Sequence, residues 1–196
     1  MLEVAYWDAL GKGLGVPAST FFGGRVASEI DFMGFPQGDT PEELARHAAE
    51  LAADQAVHTT AELRAVLEQE AADAVVIGSH ESGGLWRLRQ MAYLAEAHGI
   101  PLNRHGCIER AIATFAGLQV AACIPNLTLG NQLMNHLLAE SLVCVPPELA
   151  EGRSPVPNGP GLSFELDDQA IARAREHHER QGPYAAVDPA DTGELG

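Results

Sequence analysis

ADAVVIGSHESGGLWRLRQMAYLAEAHGIPLNRHG, residues 72–106, carries the pattern on which the fold turns. It opens on Ala74–Ile77, a short apolar run that reads as a buried strand. Leu85–His98 then places Leu85, Leu88, Ala92 and Ala95 on one helical face, and Gly99 and Pro101 stop it. Ile100–Asn103 reads as the next strand. A strand, a helix and a second strand in succession form a crossover unit, which implies parallel strands with helices outside them.

The same rhythm extends in both directions. Toward the C-terminus a helix is expected over Ile108–Ala122, a strand over Ile124–Leu127 and a helix over Asn131–Ser141. Toward the N-terminus, Thr59-Thr60-Ala61-Glu62 offers a capping box for a helix to about Glu70. Thr40-Pro41-Glu42-Glu43 opens another, expected to run to about Ala53, and Glu29–Gly34 suits a short strand. Leu2, Tyr6, Leu10 and Leu14 form a helical stripe stopped by Gly15 and Pro17. Residues 146–168 are a proline-rich connection, a helix is expected over 168–180, and GPYAAVDPADTGELG (182–196) has the composition of a disordered tail.

Composition narrows the function classes. The 196 residues carry 12 basic and 27 acidic side chains, a net charge of −15, which argues against nucleic acid or an anionic membrane as partner. Three cysteines, Cys107, Cys123 and Cys144, show no CxxC spacing, so neither a disulfide framework nor a zinc site is expected, and a reducing cytoplasm fits best. The apolar stretch Ala111–Ile124 is interrupted by Thr114 and Gln119 and is too short to span a bilayer. A closed eight-unit barrel typically needs about 250 residues; this chain offers four or five such units, so an incomplete (β/α) barrel of parallel strands and outer helices is expected.

Several segments taken in order resemble the enolase superfamily, of the mandelate racemase and muconate-lactonizing type. LEVAYWDALGKGLGVPASTFFGG (2–24) is similar to the segment that ends that family's capping domain and leads into its barrel. ADQAVHTTAEL (53–63) resembles the fifth barrel strand and its helix, residues 72–106 the sixth and seventh units, and PVPNGPGLSFELDD (155–168) the closing segment. The resemblance implies a capping remnant at 1–24, a partial barrel at 25–145, a closing segment at 146–175 and a disordered tail at 176–196. Most of the capping domain and barrel strands two to four have no counterpart. TPEELARHAAE (40–50) runs into LAADQAVHTT (51–60) without a turn, which suggests an internal deletion near Glu50–Leu51.

The family removes a proton alpha to a carboxylate and stabilises the enediolate with Mg2+ held by carboxylates. The resemblance assigns a metal-ligand position to Asp54, with Gln55 at the alternative one, and the general-base position to His105 at the end of the seventh strand. The aspartate that partners this histidine in the family would fall at Gly78, which has no side chain, and the lysine base of the muconate-lactonizing type at Glu81. His80 and Glu81 are candidates for substrate binding at the same mouth, and Asn126 and Asn131 are weaker ones. Gly11, Gly13 and Gly15 do not form a phosphate loop. The expected activity is a magnesium-dependent racemase, isomerase or dehydratase reaction on a small carboxylate, impaired here by the missing ligands and lysines. The competing expectation is a catalytically silent fragment or a binding subunit. Open barrel edges are expected to promote self-association or homo-oligomer formation.

Overall fold

The computed structural model describes residues 2–32, 52–53, 57–106, 109–135, 138 and 140–182. Its centre is a parallel sheet of β2 (Ala52–Ala53), β3 (Ala74–Gly78) and β4 (Leu102–His105), in that order. Every residue of β3 is buried, as expected of a parallel strand covered on both faces. The ladder continues through isolated parallel bridges, from Arg104 to Asn131 and from Asn131 to Phe32. Asn131 donates its N–H to Asp31 O (2.9 Å), and Gln132 N donates to Arg104 O (3.1 Å). The strand positions therefore run β2, β3, β4, Asn131, Phe32, all parallel. A separate antiparallel pair joins β1 (Glu29–Asp31) to β5 (Arg153–Pro155).

The α-helices among the described residues are α1 (Leu2–Leu14), α2 (Thr60–Glu68), α3 (Leu85–Ala97), α4 (Ala111–Ala121) and α5 (Asp168–Gln181). Two begin at caps that the sequence spells out. At α2 the capping box is made in full: Thr59 Oγ1 accepts from Glu62 N (3.2 Å), while Glu62 accepts from Thr59 N (2.8 Å). At α5 the Asp167 carboxylate accepts from Gln169 N and Ala170 N, both at 3.0 Å. The third, α3, is capped from a distance. Glu3 of α1 accepts from Leu85 N and Trp86 N, each at 2.9 Å. Its carboxylate lies where a Cβ on Gly84 would be, and Gly84 has φ 130°, so the second glycine of the Gly83–Gly84 pair is needed for both space and conformation.

One core joins sheet and helices through Leu63, Ile77, Leu88, Met91 and Leu102, all at 0 % exposure, and extends to Phe22. Helix α4 is buried almost all round, and the two polar residues that interrupt its apolar run each sit inside the fold. Gln119 accepts from Ser19 N (3.1 Å) and donates to Pro157 O (2.8 Å), tying the segment before the sheet to the proline-rich segment after it. Backbone bonds Ala18 N→Gly161 O (2.8 Å) and Gly161 N→Val16 O (2.9 Å) reinforce the tie, and Gly11 packs directly on Gly161.

Several expectations need correction. Ile124–Leu127 is a turn rather than a strand, because Pro125 follows the helix end and the next sheet pairing comes at Asn131. The described residues over Asn131–Ser141 form no α-helix: the backbone of Asn131 and Gln132 is committed to the sheet, and Asn135 lies in a 3-10 turn whose carbonyl accepts from Leu138 N (3.2 Å). The strand expected at Ile100–Asn103 lies two residues later, at Leu102–His105. The helix expected to reach Ala53 does not, since Ala52 and Ala53 pair with Ala74 and Val75. Helix α5 continues through Gln181, past the tail boundary placed at 176. The body of the helix expected over 40–50 and the junction at 50–51 lie outside the described residues, as do 183–196. No helix among the described residues is long and apolar enough to cross a membrane.

Candidate functional site

Strand alternation decides what faces where. Gly78 pairs in register with His105 and Val76 with Asn103, so these four share one face of the sheet. Ile77 and Arg104 share the other face, where the Arg104 guanidinium lies over Gly117 of α4 and pairs with Glu109 at 2.7 Å. Because β3 and β4 are parallel and end together, Gly78 and His105 stand side by side at the C-terminal edge. The chain leaves β3 through a tight turn, closed by Ser82 N→Gly78 O (2.9 Å) and Gly84 N→Ser79 O (2.8 Å). That turn carries His80 and Glu81.

Glu81 folds back over the strand end. Its two carboxylate oxygens each lie 3.4 Å from His105 Nδ1, and Oε1 lies 3.5 Å from His80 Nε2. The imidazoles of His80 and His105 are tilted, with centroids 5.7 Å apart. Gly78 makes this possible. A Cβ there would stand 2.7 Å from Glu81 Oε2 and 2.9 Å from His80 Cε1, closer than side-chain carbons approach such atoms. The side chains of His105 and Glu81 are 12 % and 19 % exposed against 41 % for His80, so the first two are shielded and the third opens to solvent.

The structure thus brings together His80, Glu81 and His105, three of the four site residues expected from the sequence. Asp54 and Gln55 lie outside the described residues. The two asparagines hold backbone instead: Asn126 Nδ2 donates to Ile100 O (2.9 Å) and Asn131 Nδ2 to Asp31 O (3.3 Å). Sequence reading missed the direct contact of Glu81 with His105. It treated Gly78 as an empty partner position, although a residue without Cβ at a strand end, followed three residues later by a long carboxylate, leaves room for that side chain to return. Asn103, on the same face, fastens the floor of the site by donating Nδ2 to Leu129 O (3.1 Å) and Gly130 O (2.7 Å). A groove of about 1110 Å³ lies elsewhere, lined by Phe115, Phe164 and the prolines of the closing segment, and holds none of these groups.

A family model described as enolase C-terminal domain-like matches residues 35–170. The chain belongs to the enolase superfamily, of the mandelate racemase and muconate-lactonizing type. It is 33 % identical over 120 residues to muconate cycloisomerase 1 of Rhodococcus opacus, covering 61 % of this chain and 32 % of that one. It is 34 % identical over 110 residues to D-xylonate dehydratase of Haloferax volcanii, covering 55 % and 26 %. The chain thus spans about a third of the length of the curated relatives it matches. In fold it is similar to a crystal structure of a muconate cycloisomerase from Azorhizobium caulinodans, with TM-score 0.76, 20 % identity, and coverage of 87 % of this chain and 73 % of that one. The fold is α/β, and its structural neighbours are superfamily barrel enzymes.

Magnesium is the cation that membership of this superfamily implies. It favours near-octahedral oxygen coordination, usually carboxylates with water and substrate. The donors that converge among the described residues are two imidazoles and one carboxylate. This set does not fit magnesium.

Proposed function

We propose that this chain carries the proton-transfer part of enolase-superfamily chemistry on a small carboxylic acid, with His105 as the base and Glu81 as the group that orients it. One observation carries the reading: His105 Nδ1 faces both oxygens of Glu81 at the C-terminal ends of adjacent parallel strands, the edge at which barrel enzymes place their chemistry. A carboxylate beside Nδ1 favours the tautomer with its proton there, which leaves Nε2 with a lone pair to accept the substrate's α-proton. The imidazolium so formed remains beside a negative charge. Glu81 comes from the turn rather than from the strand, and it fills the place of an aspartate that Gly78 cannot provide. The relatives' names support the class, being a cycloisomerase and a sugar-acid dehydratase.

The second reading is a catalytically silent fragment, or a binding subunit of such an enzyme. It is favoured by the converging cluster itself, which holds one carboxylate among the described residues, because an enediolate needs strong positive charge held close to it. Exchange of the α-proton for deuterium in a panel of 2-hydroxy acids and sugar acids, followed by NMR with magnesium supplied, separates the two. Exchange that falls by ~10²–10⁴-fold in H105N supports the base assignment. Exchange absent from the unaltered chain, with the acids still bound, establishes the silent reading.

A further inference from the structure

We infer that His80, Glu81 and His105 form a binding site for a borderline divalent transition cation, zinc foremost, rather than for magnesium. One ligand atom from each of the three lies within 4.8 Å of the others. Donor type gives the first reason. Two imidazoles with one carboxylate is a set that zinc, iron and cobalt take readily, whereas magnesium and calcium select oxygen.

Spacing gives the second. The contacts of 3.4 Å between His105 Nδ1 and Glu81, and of 3.5 Å between His80 Nε2 and Glu81, exceed the ~2.7–2.9 Å of a good charge-assisted hydrogen bond. A tetrahedral zinc ion with bonds of ~2.1 Å separates its ligands by about 3.4 Å. Two edges of that tetrahedron are therefore already present, and the third closes by movement of His80, the most exposed of the three.

The third reason is that the backbone is shaped for the cluster. Gly78 is the residue whose Cβ would collide with both Glu81 and His80, so the strand end is kept bare where these two side chains converge. The turn that presents them is closed by two backbone hydrogen bonds. Three protein ligands leave a fourth position for water or a carboxylate oxygen of a ligand, the arrangement of an open rather than a purely structural zinc site.

This inference goes beyond the proton-transfer reading and does not need it. A bound zinc ion would take up the contact between His105 Nδ1 and Glu81, so filling the site would suppress proton exchange. The two fail separately: exchange is measured on metal-stripped chain with magnesium, and zinc binding is measured with no acid present.

The test uses the full chain stripped with a chelator. Zinc is titrated against a chromogenic competing chelator, and cobalt(II) is followed by its visible absorption. One equivalent of zinc should bind, with the intense cobalt bands of four- or five-coordination and no competition from excess magnesium. H80A removes a solvent-facing side chain and is the variant least able to disturb folding; it, E81Q and H105N should each lower zinc affinity by more than the ~10–100-fold lost with a merely supporting partner. G78A should weaken binding by displacing Glu81, and zinc should raise the melting temperature of the unaltered chain but not of H80A. The His177→Ala, His178→Ala double variant, which removes the adjacent histidine pair near the C-terminal end of α5, should bind as the unaltered chain does. Absence of stoichiometric binding, full binding by H80A, loss confined to the His177 and His178 variant, or equal competition by magnesium would each overturn the site.

Discussion

Cys123 shows how one buried side chain connects fold to pH. It is fully buried, and its thiol contacts the carbonyl oxygens of Ser19 and Gln119 at 3.3 Å. Burial pushes the thiol up to about 11, while the charges of Arg89 and Arg25 act weakly in the opposite direction. The folded chain thus holds this proton more tightly than the unfolded chain does. At neutral pH both states are protonated and the contribution is fully present. Above the ordinary thiol value, ~8.5, the unfolded state alone loses its proton, and stability falls until pH passes through about 11. In a C107S background, Cys144, which is exposed, should react promptly with a thiol reagent at neutral pH, and Cys123 only on unfolding. Equal rates for the two would contradict the burial. Residue-scale legibility was uneven. His105 was singled out by the family resemblance, whereas the use of Gly78 depends on where Glu81 returns, which no local pattern records.

Among the elements, α3 owes its start to α1. Glu3 satisfies two N–H groups of the α3 first turn and accepts from Trp7 Nε1 (3.1 Å) as well. A carboxylate at a helix N-terminus is favoured by both hydrogen bonding and the helix dipole. Glu3→Ala should therefore cost about 1–2 kcal/mol, lowering the melting temperature by ~2–8 °C for a chain of this size. A melting curve unchanged by the substitution would refute the long-range cap. The local capping box of α2 was legible from Thr59-Thr60-Ala61-Glu62, because both partners lie within one turn. The cap of α3 was not, because its partner is 82 positions away. Thr114 and Gln119 in α4 are similar: they read as interruptions of an apolar run, and only the fold shows Gln119 bridging Ser19 to Pro157.

On the scale of the whole molecule, the apolar stripe read along α1 points outward. Leu2, Tyr6 and Leu14 are 90 %, 57 % and 62 % exposed, while Val4 and Trp7 face the core. Such a surface should bind a hydrophobic dye and promote self-association that grows with concentration. A dye-silent, monodisperse monomer across the concentration range would count against it. By itself the sequence determined the alternation of strands and helices, the parallel sense of β3 and β4, and the superfamily. These are readable because apolar periodicity, capping residues and turn residues act over a few positions. Tertiary structure alone decided that Asn131 rather than Ile124–Leu127 continues the sheet, that Glu81 rather than a strand residue meets His105, and that three side chains come within a metal ion's reach. Each depends on atoms brought together by strand register and close approach of distant segments, and a linear pattern holds no distance between them.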